Sequence, residues 1–394
     1  MGNYSFAGIM VLVTVILMDI LGGAEMDLFV PSFSELQKYF NLTPFWTEAL
    51  LSLNFIGFCG SLFLVGALAD RYGRKPLIYS GLIIFILGSI LCVGAPSYSF
   101  LLIGRFLQGV GVAAPATLCF LIIADSYPMD QQRSLMGILN GIVNVSVGAA
   151  PVIGSYITLY FQWRGNFIAL LLLGIITLGM TIFFIPRPQL SATKTSLTLR
   201  GYLPLLQSKP LLLLMMNILF FSLTYWVFVG IAPILYMKDL GVSLLHFGYY
   251  QGSLAFVFSM GSIVVGLMIK RYNVKKMLLI GNWVCVVSLV SIGWLTWVDS
   301  CDPLLITLAF IPYSIAVSVP VVVIYPLCLD IMPHAKGKVS AMIQAIRLIL
   351  TAACLQIAGY YYTGSFQNIG IIIFLFLLGG IITLFWILKK HEFS

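Results

Sequence analysis

Three carboxylates, Asp19, Glu25 and Asp27, lie within nine residues in the stretch MDILGGAEMDLFVP (18–31), one of the most apolar parts of the chain. Side chains of this kind in such a setting can exchange protons or meet a cation. A charge at bilayer depth costs on the order of 2.5–3.5 kcal/mol on insertion scales, so an apolar segment with three acids needs water, partners or protons. Two arginines, Arg105 and Arg347, stand in comparably apolar runs. A guanidinium reads carboxylates bidentately, which makes each a candidate partner for an acid or for an anionic ligand.

The elements that must position these residues are membrane helices. Of the 394 residues, 60% are hydrophobic and 9% charged, with a mean hydropathy of +1.05. Soluble domains are roughly a quarter charged, so that class is excluded. Apolar runs of the length that crosses a hydrocarbon core, about 20 residues, fall at 6–31, 46–69, 76–95, 99–124, 134–159, 163–185, 211–237, 243–269, 277–298, 303–329, 338–362 and 366–388. They are long and lack strict alternation, so they read as helices and not barrel strands. The first run has no basic start and no small-residue cleavage site, and reads as a retained helix.

The expected fold is an all-α integral membrane protein of twelve transmembrane helices in two pseudo-symmetric six-helix bundles, 1–189 and 211–394, joined by a cytoplasmic linker at 190–210. Most of the 21 Lys and Arg residues fall in loops on the side shared with the C-terminus, which places both termini in the cytoplasm. The net charge of +8 is then topological, and no nucleic-acid partner is expected. The seven cysteines show no CxxC spacing and read as packing residues, with no metal site. There is no GxxxxGK[ST] loop and no nucleophile–base pair, so neither a cofactor nor an enzyme activity is expected, and the energy source is ionic.

The stretch GALADRYGRKPLI (66–78) recurs in degraded form as GLMIKRYNVKKMLLI (266–280), each copy joining the second and third helix of its half. An internal parallel repeat of this size is what a duplicated six-helix unit leaves. The first copy resembles the signature loop of the major facilitator superfamily, matching it at Gly66, Asp70, Arg71, Gly73, Arg74 and Lys75. LLIGRFLQGVGVAA (101–114) resembles the fourth-helix motif of that family at Arg105, Gln108 and Gly109. GILNGIVNVSVGAAPVIGS (137–155) resembles the fifth-helix antiporter motif, with Gly148, Pro151 and Gly154 in place but Ala150 and Ser155 departing from the pattern. MDLFVPSF (26–33) and WRGNF (163–167) resemble the twelve-span drug:proton antiporters, in particular the bicyclomycin/chloramphenicol-resistance branch.

In the signature loop, Gly66, Asp70, Arg71, Gly73 and Arg74 form the candidate conformational latch. Asp70 would accept from a neighbouring helix N-terminus and from Arg71 or Arg74, while Lys75 reads as plain topogenic charge. If the first helix leaves the membrane near Phe33, Asp19 lies near the midplane and Asp27 about 12 Å nearer the periplasm. On an ideal wheel these two are about 80° apart and share a cavity, whereas Glu25 is roughly 200° from Asp27 and faces elsewhere. Arg105 enters at nearly the depth of Asp27, so an Asp27–Arg105 pair that opens with the helices would tie protonation to conformation. Asp27, Asp19 and Arg105 are therefore the candidate proton-coupling set.

Candidate substrate contacts are Asp19, Asn54, Tyr225, Trp226, Tyr313 and Arg347. Arg347 lies near the midplane and reads equally as a structural pair and as a reader of anionic cargo. The helix carrying Gly148, Pro151 and Gly154 has the composition to bend and pack closely. The resemblance implies a proton-coupled exporter of lipophilic or cationic compounds. It would be monomeric, in a bacterial inner membrane, with the bilayer, protons and a small-molecule substrate as its partners. The competing expectation is an exporter dedicated to an anionic metabolite such as a polycarboxylate siderophore.

Overall fold

The computed structural model describes residues 6–127, 129–185, 203–269, 271–332 and 336–390. Among them the regular elements are helical: α1 Phe6–Asp27, α2 Phe33–Phe40, α3 Pro44–Tyr72, α4 Arg74–Val93, α5 Tyr98–Ser126, α6 Met129–Phe184, α7 Leu203–Gln207, α8 Lys209–Pro233, α9 Leu244–Met268, α10 Val274–Trp297, α11 Pro303–Ile331, α12 Lys336–Tyr361 and α13 Phe366–Lys390. A 3₁₀ turn at Val30–Ser32 precedes α2, and a π-helical turn at Ile234–Asp239 follows α8. Ten stretches among the described residues are long and apolar enough to cross a membrane. Two of the expected runs, 134–159 and 163–185, lie in the single element α6, which breaks at Gln162 with φ 58°.

Helix ends follow local chemistry. Ser243 and Asn273 accept from His246 N and Lys276 N to start α9 and α10. Asp302 accepts from Leu304 N and Leu305 N ahead of Pro303, combining a cap with a proline at the first helical position in α11. Asn41 ends α2 in the left-handed region at φ 52°. Gly73 starts α4 at φ 87° and ψ 161°, a region open essentially to glycine alone. The signature loop turns at this glycine.

The chain divides into two compact units, Met1–Asn41 with Ala49–Leu197, and Leu42–Glu48 with Thr198–Ser394. In the first, α1 packs on α5 and α6, and α4 on α5 and α6. In the second, α8 packs on α11, α12 and α13, α11 on α9 and α10, and α10 on α13. The expected linker lies outside the described residues up to position 202.

Candidate functional site

Helix α1 ends at Asp27 and does not continue to residue 31 as one helix; Pro31 sits in the 3₁₀ turn that redirects the chain. The segment after Asp27 is pinned from α6. Asn166 Nδ2 donates to Ser32 Oγ at 2.7 Å and to Thr158 Oγ1 at 2.7 Å, and the two hydroxyls are 2.9 Å apart. The ring of Phe29 lies 5.3 Å from Phe33 and 5.6 Å from Phe167, which itself meets Trp163 at 6.0 Å. The two motifs MDLFVPSF and WRGNF are thus one contact, with a hydroxyl–amide trio and an aromatic cluster fixing the end of α1. Gly154 completes it, because a Cβ there would overlap the carbonyl oxygen of Leu28. The close approach permitted by this glycine is to α1 in its own unit.

Arg105 is fully buried, and its partner is Glu25, not Asp27. Arg105 Nη1 donates to Glu25 Oε1 at 2.7 Å and to Gln108 Oε1 at 2.7 Å. Gln108 Nε2 donates to Ser89 Oγ at 2.8 Å, and the Arg105 guanidinium carbon lies 4.0 Å from the centre of the Phe29 ring. Asn54, read as a cargo contact, uses its Nδ2 inside the protein, donating to Glu25 Oε1 at 2.5 Å and to Arg105 O at 3.0 Å. The expected Asp27–Arg105 pair is corrected by this geometry, and Glu25, expected to face elsewhere than Asp27, faces Arg105. Glu25 and Asp27 differ in depth by only about 3 Å, so depth cannot choose between them. The choice is made by azimuth, and the wheel angle that turned Glu25 away from Asp27 turns it toward α5.

The acids that remain are Asp19 and Asp27. Asp27 is 3% exposed, and its Oδ1 has no hydrogen-bond partner. Asp19 is 6% exposed; Cys119 Sγ lies 3.9 Å from its Oδ1, and its Oδ2 has no partner. Among the described residues neither forms an ion pair.

In the signature loop, the surroundings of Gly66 and the side chain of Asp70 lie outside the described residues. Arg74 Nη1 donates to Leu121 O near the end of α5, and the Arg71 guanidinium lies 5.2 Å from the ring of Tyr72. Lys75 Nζ donates to Ile182 O at 2.9 Å and Ile185 O at 2.7 Å. Both cations thereby satisfy carbonyls at helix C-terminal ends, where positive charge is favoured. Lys75, expected to be plain topogenic charge, fastens α4 to the end of α6. In α6, Gly148 is buried, and Pro151 O accepts from Ser155 Oγ at 2.8 Å, so the residue that departs from the motif back-bonds the proline turn.

In the second unit, the rings of Tyr225 and Trp226 are 5.5 Å apart. Tyr313, read as a cargo contact, is 2% exposed and donates its hydroxyl to Phe221 O at 2.5 Å, which makes it a tie between α11 and α8. Arg347 Nε is buried without a partner. One buried acid escapes notice in the sequence. Glu48 is 0% exposed, and both of its carboxylate oxygens lack partners. Its position just inside an apolar run, four residues after the Pro44 helix start, is the signal that could have singled it out.

Among the described residues the regular elements are helical, ten stretches are long and apolar enough to cross a membrane, and a guanidinium–carboxylate network is buried among them, a make-up that fits a membrane transporter. The Major Facilitator Superfamily profile matches residues 15–353, and the chain belongs to that superfamily. It is 25% identical over 95% of its length to an uncharacterized transporter of Rickettsia felis, covering 96% of that protein. It is 23% identical to the chloramphenicol resistance protein CraA of Acinetobacter baumannii, over 86% of this chain and 82% of that one. The crystal structure of a bacterial homolog of the human lysosomal transporter Spinster superposes with a TM-score of 0.78 at 15% identity, covering 99% of this chain and 98% of that one, and shares the fold.

Proposed function

We propose that this protein is a proton-coupled exporter of small lipophilic or cationic compounds, working by alternating access of two six-helix bundles, with both termini cytoplasmic, in a bacterial inner membrane. The observation that carries the reading is the surplus of acid in α1. Arg105 is engaged by Glu25, yet Asp19 and Asp27 each retain a buried oxygen without a donor. A carboxylate so placed is a site for a proton or for a cation that replaces it. The resemblance of CraA, named for chloramphenicol resistance, supports export of drug-like cargo. Asp27 and Asp19 are the proposed exchange groups, with Tyr225 and Trp226 as proposed apolar walls for cargo.

The test is substrate-induced proton release from purified protein in weak buffer. A lipophilic cation is expected to release protons from the wild type and not from Asp27→Asn. A response confined to a citrate-like polycarboxylate, kept in Asp27→Asn and lost in Arg347→Ala, would replace this reading with the anionic-metabolite exporter. The unpartnered Nε of Arg347 is the feature on which that outcome would rest.

A further inference from the structure

We infer that the second unit holds a binding site for an uncharged aromatic carboxamide, in which Gln251 of α9 reads the amide edge and aromatic side chains of α8, α9 and the turn after α8 hold the ring. Its use for cargo rests on the exporter reading above and adds an uncharged class to it; the binding itself is independent of that reading.

The site forms where α8 ends and α9 and α11 begin. Phe228 comes from the last turns of α8 and Tyr236 from the π-helical turn that follows, a kind of irregularity found often at functional sites. Phe247, Tyr250 and Gln251 come from near the start of α9, and Thr307 from near the start of α11. The ring of Tyr236 is the hub, meeting Phe228 at 6.2 Å, Phe247 at 6.0 Å and Tyr250 at 5.7 Å, each edge-on. Its hydroxyl is 2.8 Å from Thr307 Oγ1, and Thr307 spends its one hydrogen on Pro303 O, so Tyr236 is the donor between them. Phe228 is backed by Phe310, stacked at 4.0 Å. Phe228, Tyr236 and Thr307 are thereby fixed walls.

Gln251 stands apart from that order. It is 3% exposed, and among the described residues neither its Nε2 nor its Oε1 has a hydrogen-bond partner. A primary amide carries two donors and an acceptor, and burying it unbonded is unfavourable. Water does not resolve this, because the gap among the lining residues is too narrow for a water molecule. A leucine would fill the same volume without that cost, so packing does not account for the glutamine.

The lining sets the class of ligand. None of the eight lining residues is charged, so a charged guest would be buried without a counter-ion. The guest is therefore neutral. The glutamine head is met best by a group that presents a donor and an acceptor side by side, the bidentate logic by which such amides read adenine. The edge-on aromatic walls suit a flat ring. Entry is past Tyr250, the one lining residue that is partly exposed while the others are buried. Rotation of its side chain opens the space of a single six-membered ring beside Tyr236, and that sets the size of the guest.

The experiment titrates benzamide, methyl benzoate and benzoate into the purified full chain in detergent, with binding read by ligand-observed NMR. Methyl benzoate keeps the acceptor and lacks the donor; benzoate adds a charge. Benzamide is expected to bind the wild type at least about tenfold more tightly than either. In Gln251→Leu, benzamide is expected to weaken by about 10–100-fold, to the level of methyl benzoate, while methyl benzoate itself is unmoved. A merely structural Gln251 would move both ligands together.

Equal benzamide affinity in wild type and Gln251→Leu overturns the inference, as does benzoate binding as tightly as benzamide. Photolabelling of the wild type with 4-azidobenzamide keeps the test open should Gln251→Leu fail to fold. Adducts on α8, α9 or α11 around Tyr236 and Gln251, suppressed by benzamide, are expected; adducts confined to other elements, or none, overturn the site. If benzamide binds in the expected pattern while no lipophilic cation releases protons from the wild type, the exporter reading fails and the site stands. Proton release without benzamide binding removes the site alone.

Discussion

Arg105 Nη1 and Glu25 Oε1 are 2.7 Å apart with both side chains fully buried, and this pair joins α5 to α1 at the depth where the chain's acids gather. Removing one member of such a pair leaves an uncompensated buried charge and typically costs about 3–5 kcal/mol, whereas replacing both by apolar groups of similar volume is often close to neutral. Arg105→Met is therefore expected to lower the detergent-solubilised melting temperature more than the double variant Glu25→Met/Arg105→Met. Thermal unfolding of the two side by side checks this, and equal losses would show that the surrounding hydrogen bonds, not the pair, hold the helices.

Gly109, beside Gln108 in the fourth-helix motif, is explained by Asn54. A Cβ at Gly109 would overlap the carbonyl oxygen of Asn54 and lie 3.0 Å from Phe58 N. Those are backbone atoms of α3, which cannot swing aside as a side-chain tip can. Gly109→Ala is thus expected to push α3 from α5 and weaken the clasp that the Asn54 side chain makes on Glu25 and Arg105. Overpacking of this kind costs about 1–3 kcal/mol. The expected readout is a lowered melting temperature with transport reduced at unchanged membrane abundance. A fully active Gly109→Ala would place the reason for this glycine elsewhere.

Much of this site is legible in the sequence, because ionisable and amide side chains in apolar runs are rare enough to mark themselves. Asp19, Asp27, Arg105 and Asn54 are found this way, and the glycine and proline motifs locate the loop and the bending helix. What spacing cannot supply is which face of α5 meets α1. Depth along the membrane is a one-dimensional ruler, and it places Arg105 level with Glu25 and Asp27 alike. The pairing depends on helix rotation, which is set by contacts distant in sequence such as Ser32, Thr158 and Asn166. Tyr313 shows the same limit, since an aromatic hydroxyl in a cavity helix and one tied to Phe221 O look identical in a string of letters.

Gly73 should be the least replaceable residue of the signature loop. Its φ of 87° with ψ of 161° is a combination that a side chain strains, at about 1–3 kcal/mol. Gly73→Ala is expected to destabilise the start of α4 and detach Lys75 from Ile182 O and Ile185 O. Lys75→Met, which removes those bonds without touching the turn, is expected to cost about 0.5–1.5 kcal/mol. Hydrogen exchange of the α4 start separates the two: faster exchange in Gly73→Ala than in Lys75→Met is the expected order, and the reverse would mean that the lysine, not the turn, holds the loop.

Glu48 is expected to be dispensable for stability, and even to oppose it. It belongs to the segment Leu42–Glu48 that groups with the second unit, where a Cβ on Gly230 would overlap its Oε2 and come within 2.6 Å of Leu355 Cδ2. Neither oxygen has a donor, so the acid contributes desolvation without a compensating bond. Exchanging an unfavourably buried ionic group for an apolar one of similar volume can stabilise by about 1–4 kcal/mol. Glu48→Leu should raise the melting temperature, and Glu48→Gln, which keeps a polar head in the same dry contact, should gain less. If both variants melt below wild type, the carboxylate is making an interaction that this packing does not contain. If Glu48→Leu is more stable but transports poorly, the acid is retained for the transport cycle, and pH-dependent uptake in Glu48→Gln would locate the step it serves.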